Sequence, residues 1–115
     1  DEHTEILFYS MKACKTGASR IRALLPLNIS LAHKTGTLSG VVHDVGIIFL
    51  PNGEHIVLVI YVHDDTNSLK ANKKIIAKVA ESIYYEFSMK SVCSWRQKII
   101  NLFSNQIEKT YASKK

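Results

Sequence analysis

The stretch Ser30 to Val62, S-L-A-H-K-T-G-T-L-S-G-V-V-H-D-V-G-I-I-F-L-P-N-G-E-H-I-V-L-V-I-Y-V, limits what this chain can fold into more than any other. It holds three strand patterns, Ser30 to Thr37, Val45 to Leu50 and His55 to Val62. Pro51-Asn52-Gly53-Glu54 joins the last two, and its turn chemistry has a cause: Pro presets φ and Asn-Gly tolerates positive φ. The second and third strands therefore form a hairpin. Leu38 to Asp44, with Gly40 inside it, gives a longer turn between the first and second. Successive strands joined this way make an antiparallel meander. Ile, Val and Leu fall on both faces of the second and third strands, which predicts a sheet covered on both sides.

Helical patterns flank this sheet. Residues 4–13 read as the end of a helix, with Ile6, Leu7 and Met11 on one side, and Thr16-Gly17 interrupts the pattern. A short helix from Ala18 to Leu25 follows, with Ile21, Leu24 and Leu25 inward and Arg20 and Arg22 outward, until Pro26 ends it. Beyond His63 to Asn67, the run Ser68 to Phe87 sets Ile75, Ile76, Val79, Ala80, Ile83, Tyr84 and Phe87 at helical spacing. Lys70, Lys73, Lys74 and Lys78 fall mostly on the other side, so this helix is expected to lie across the sheet. Ser91 to Tyr111, with Trp95, Ile99, Leu102, Phe103 and Ile107, repeats the amphipathic pattern and predicts a further helix, with residues 112–115 frayed.

Composition excludes several classes. With 115 residues, 46% hydrophobic and 22% charged, the chain suits one globular domain with a core of its own and not a disordered segment. The longest apolar run, Ile56 to Val62, is too short to span a bilayer. The acidic start, Asp1-Glu2-His3-Thr4-Glu5, lacks a signal-peptide layout, so an export signal would have been removed or lie upstream. The net charge of +5 divides into −2 over residues 1–67 and +7 over residues 68–115. That basic half is open to an acidic partner or an anionic surface, or is simply a solvated helix face. No nucleic-acid motif accompanies it, and the Trp95 to Tyr111 stripe reads more plainly as core or interface than as a membrane-surface helix. Cys14 and Cys93 read as two buried free thiols, with pairing open in an oxidising compartment. Five histidines without ligand spacing, and no Gly-rich phosphate loop, lead to no expected metal or cofactor.

Lys-Thr-Gly occurs twice. Lys15-Thr16-Gly17 lies in a loop entering a helix and reads as turn chemistry. Lys34-Thr35-Gly36 lies on a strand and can build an anion site. Lys34 brings a cation, Thr35 and Thr37 bring hydroxyls, and Gly36 lets a ligand approach the backbone. Alternation puts the Thr35 and Thr37 side chains on one face, so Lys34 must reach them by its long stem or a local twist. The Thr37 N–H would help stabilise an oxyanion.

The order S-R-I-R-A-L-L-P (Ser19 to Pro26), H-K-T-G-T, H-D-V-G-I-I and the P-N-G hairpin, closed by a final helix, resembles the C-terminal third of class A serine β-lactamases over about residues 6–87. The resemblance implies an α+β fold: a three-strand antiparallel meander with flanking helices, forming the C-terminal part of a β-lactamase/transpeptidase-like α/β sandwich. Residues 1–87 would be that part, and residues 88–115 an additional basic amphipathic tail. By resemblance, Lys34 and the Thr37 N–H take catalytic roles, and Thr35, Gly36, Thr37 and His43 bind substrate. His43 stands near where many family members carry an arginine or polar residue for the substrate carboxylate; a hairpin histidine bonded to local backbone is the competing reading.

The resemblance implies a serine hydrolase that opens the β-lactam amide through an acyl-enzyme, working in the periplasm or secreted. Its substrate would be a β-lactam or peptidoglycan-like molecule. The family's S-x-x-K nucleophile box and its S-D-N box are absent from residues 1–115, and Glu54, Glu81 and Glu86 are poorly placed to activate a deacylating water. The chain alone is therefore expected to be inactive, with the missing N-terminal part of the same protein as its partner. In the family an N-terminal helix and two further strands pack on these three, so without them one sheet edge and much of one face would be bare. A non-catalytic binding module on the same scaffold, or a penicillin-binding transpeptidase or carboxypeptidase, is the alternative.

Overall fold

The computed structural model describes residues 1–63 and 66–112. Its elements run α1 (Glu2–Lys12), a 3-10 helix (Ile21–Leu24), β1 (Ser30–Leu38), β2 (Val41–Phe49), β3 (His55–His63) and α2 (Leu69–Ala112). The strands form one antiparallel sheet in the order β1-β2-β3. The chain divides into two units, one of residues 1–84 and one beginning at Tyr85, with α2 contributing to both.

Local chemistry explains most boundaries. Asp1 caps α1 by accepting from the His3 N–H at 2.8 Å. Ser68 caps α2 through the Ala71 N–H at 3.2 Å. The Pro51–Gly53 turn closes with Leu50 and Glu54 sharing a backbone bond of 2.9 Å.

Two boundaries differ from expectation. β2 begins at Val41, because the link to β1 is only Ser39-Gly40 and the His43-Asp44 pair, read as turn, belongs to the strand. Ser68 to Phe87 and Ser91 to Tyr111 are not two helices but parts of the single α2, since nothing between Phe87 and Ser91 breaks a helix. Residues 113–115, expected to fray, and the side chains of Trp95, Ile107 and Tyr111 lie outside what is described.

The core lies on one face of the sheet. Alternation along β2 buries Val42, Asp44 and Ile48, and β3 adds Ile56 and Leu58. Ile21, Leu25 and Ile29 cover them from the 3-10 segment, and Ile76, Ala80 and Tyr84 from α2. Each large aliphatic side chain buried this way contributes about 1.5–3 kcal/mol. The expected short helix of residues 18–25 contracts to the 3-10 turn, and its polarity is corrected: Arg20 is buried and Leu24 is exposed.

The second face is not covered on both sides as β2 and β3 suggested. α1 reaches it at Phe49, where Phe8 packs edge-on at 6.2 Å and the Lys12 ammonium lies 4.6 Å from the ring centroid. On β3, Val57, Val59 and Tyr61 are 61–69% exposed. The cysteines are free thiols, but Cys14 is half-buried and Cys93 exposed.

Candidate active site

The end of β1 carries the strand-borne Lys-Thr-Gly. In register, Thr35 faces Asp44, Thr37 faces Val42 and His33 faces Gly46, so His33, Thr35 and Thr37 share the core face. Lys34 and Gly36 project to the other face with His43, the partner of Gly36.

Below the hydroxyls lies a buried polar pair. The His33 Nδ1 is 3.0 and 3.1 Å from the two oxygens of Asp44, which is wholly buried. Asp44 also accepts from the Ile21 N–H at 3.2 Å. With Asp44 as a carboxylate, the His33 Nδ1 must carry the proton it donates. This pair ties β1, β2 and the 3-10 segment together directly beneath Thr35.

Arg20 is the residue that sequence reasoning turned the wrong way. Its guanidinium enters between the two strands: Nη1 donates to the Gly36 carbonyl at 2.8 Å and the His43 carbonyl at 2.6 Å. Nη2 donates to the Thr37 Oγ1 at 2.5 Å. A guanidinium only donates, so Thr37 accepts here and its own proton is free to face outward. The outward assignment failed because two arginines flanking Ile21 look alike on a short helix, and only the fold separates them. Arg22 instead clasps the carbonyls of Leu25, Pro26 and Ile29 at 2.6–3.1 Å, and partial burial lowers its guanidinium pKa from the usual value.

Lys34 is exposed and bends back along its own strand, donating from Nζ to the Thr35 carbonyl at 2.7 Å. Two cations thus flank Thr35 and Thr37, Lys34 from one face and Arg20 from the other. The His43 ring does not join the hydroxyls. It stacks on Tyr61 with centroids 4.6 Å apart and lies over Gly36, where any Cβ would collide with it. Gly36 is thus required by the imidazole, which fills the space where a side chain would stand. A cavity of about 370 Å³ opens beside Thr37, bounded by Leu38, Val42, Leu69 and Asn72, and is large enough for a small organic ligand.

The second Lys-Thr-Gly also contributes. Its loop folds onto the first, and the Thr16 Oγ1 lies 2.7 Å from the Thr35 Oγ1. The turn reading of this loop holds at Gly17, whose φ is +81°. The role of Thr16 was missed, and the repeated tripeptide was its only trace in the sequence. Among the described residues, no cluster of His, Cys, Asp and Glu could hold a metal ion, and no helix is long and apolar enough to cross a membrane.

A sheet end that gathers two cations and two aligned hydroxyls beside a buried His–Asp pair, in an α+β protein, brings together the charge and the donors that an anion would need. The chain belongs to the Beta-lactamase enzyme family, whose family model matches residues 1–87. It is 37% identical to the extended-spectrum beta-lactamase PER-1 of Pseudomonas aeruginosa, over 76% of this chain and 30% of that protein. It is 34% identical to the beta-lactamase VEB-1 of Pseudomonas aeruginosa, over 67% of this chain and 28% of that protein. The crystal structure of the TLA-3 extended-spectrum beta-lactamase superposes with a TM-score of 0.70 at 34% identity, covering 76% of this chain and 34% of that one. A class A beta-lactamase described as the last common ancestor of Gram-negative bacteria gives a TM-score of 0.68 at 32% identity, over 72% of this chain and 32% of that one. The chain therefore resembles class A serine enzymes in fold as well as sequence, and spans about a third of their length.

Proposed function

We propose that this chain supplies the substrate-anion strand of a serine β-lactamase-like hydrolase. The single observation that supports it most is the pair Thr35 and Thr37, set between Lys34 and Arg20 on the strand that the family likeness covers. In this reading the substrate carboxylate lies against the two hydroxyls and draws on both cations. The Thr37 N–H stabilises the oxyanion that forms at the β-lactam carbonyl. Arg20, and not His43, holds the carboxylate end.

The nucleophile is a serine elsewhere in the same protein, since none of the 115 residues forms S-x-x-K. Its Oγ adds to the carbonyl carbon, the amide C–N bond breaks and the ring nitrogen takes up a proton. Water then hydrolyses the ester and restores the serine. The rest of that protein also covers the apolar outer face of β3, and the whole works in the periplasm or outside the cell. Residues 1–115 alone turn nothing over.

Intact mass of the whole protein, before and after a slowly deacylating β-lactam, tests this reading. We expect a gain of one drug mass, and Lys34→Ala is expected to lower kcat/KM by about 100-fold, the scale of losing one preorganised charge contact. No adduct on the whole protein would leave a binding module on the same scaffold, and near-wild-type turnover of Lys34→Ala would remove that lysine from the site.

A further inference from the structure

We propose that Thr16 is a positioning residue that aims the Thr35 hydroxyl at the substrate carboxylate. This rests on the anion-site reading above and deepens it. Thr35 Oγ1 has one proton to give. If it spends that proton on Thr16, none remains for an anion; if Thr16 donates instead, the Thr35 proton is free.

The surroundings of Thr16 allow it to donate. The Cys14 S–H reaches two oxygens of Thr16, the carbonyl at 3.5 Å and the Oγ1 at 3.3 Å, and when it turns to the Oγ1 it supplies the donor there. Thr16 then gives its own proton to Thr35 across 2.7 Å, and Thr35 gives its proton to the arriving carboxylate. All donors in this chain point one way, and each bond polarises the next. Arg20 imposes the same direction on Thr37, so both threonines become outward donors backed by a residue from the 14–20 segment. Gly17 permits the arrangement: at φ +81° it presses against the Thr35 methyl, where a Cβ would collide. The loop tripeptide is thus a support for the strand tripeptide.

The test uses the whole protein, benzylpenicillin and its methyl ester, which lacks the anion. Stopped-flow mixing gives the dissociation constant of the first, non-covalent encounter for each. Wild-type protein is expected to bind the acid more tightly than the ester. Thr16→Val keeps the shape but cannot donate; it should weaken the acid by roughly tenfold and leave the ester unchanged. Thr16→Ser should restore the preference. An unchanged acid-to-ester ratio in Thr16→Val overturns the positioning role while the anion site stands. Equal loss for acid and ester, in Thr16→Val and Thr16→Ala alike, makes Thr16 merely structural and also overturns it. A wild-type protein that does not distinguish acid from ester overturns both the role and the anion-site reading beneath it.

Discussion

The two edges of the sheet are built on opposite terms. At the β1 edge, residues 14–44 pair across elements, Thr16 with Thr35, Arg20 with Thr37 and His33 with Asp44, although the buried Arg20 Nε, Arg22 Nε and His43 Nδ1 lack hydrogen-bond partners. At the β3 edge, Val57, Val59 and Tyr61 stand exposed, with the Tyr61 ring stacked on His43. Polar groups buried in low dielectric are costly unless paired, so a site that needs directed donors must have its partners built in around it. An apolar face requires only coverage, which any part of a protein can give. Much of the polar support of this strand therefore comes from within the segment, whereas the cover for its apolar face does not.

The largest effect should come from breaking the β1 side at its base. Asp44→Ala removes the acceptor of both His33 and the Ile21 N–H in a wholly buried position. It should cost about 3–5 kcal/mol in denaturant unfolding of the whole protein, the range for one-sided loss of a buried pair. A cost near zero would mean that Asp44 organises nothing. Next comes Arg20→Lys, which keeps the charge but cannot span two carbonyls and a hydroxyl from one nitrogen. A weakening of substrate acid binding by about 1.5–3 kcal/mol is expected, as for a hydrogen bond to a charged group. If lysine binds the acid as well as arginine does, Arg20 acts by charge alone and its fork is irrelevant.

The same contrast explains what the sequence made legible. β1 and β3 were found within a residue, because alternation and the Pro51-Asn52-Gly53 turn are local signals. The shared face of Thr35 and Thr37 followed from period two alone. His43-Asp44 was misread as turn because what holds the two side chains on the strand, the Tyr61 ring and the His33 imidazole, comes from other elements. Arg20 and Thr16 were missed for that reason as well: each acts through a partner at least sixteen residues away. Local pattern reveals which strand carries the cation and the hydroxyls, while the support around them is tertiary.

The smallest predicted effect sharpens the other half of the comparison. Val59→Thr changes one methyl to a hydroxyl without altering shape or β-branching, so strand propensity and volume stay nearly constant. At a solvated position, as Val59 stands with 65% exposure, such a change falls within about ±0.5 kcal/mol. If the rest of the protein covers β3, the hydroxyl is buried without a partner and should cost about 1–3 kcal/mol in unfolding of the whole protein. We expect the second result, because a row of Val57, Val59 and Tyr61 beside Val45 and Ile47 is the kind of apolar strip that folded proteins do not leave in water. A cost below half a kcal/mol would mean that this face is solvated in the whole protein too, and β3 would then be an edge that the fold tolerates instead of one it completes.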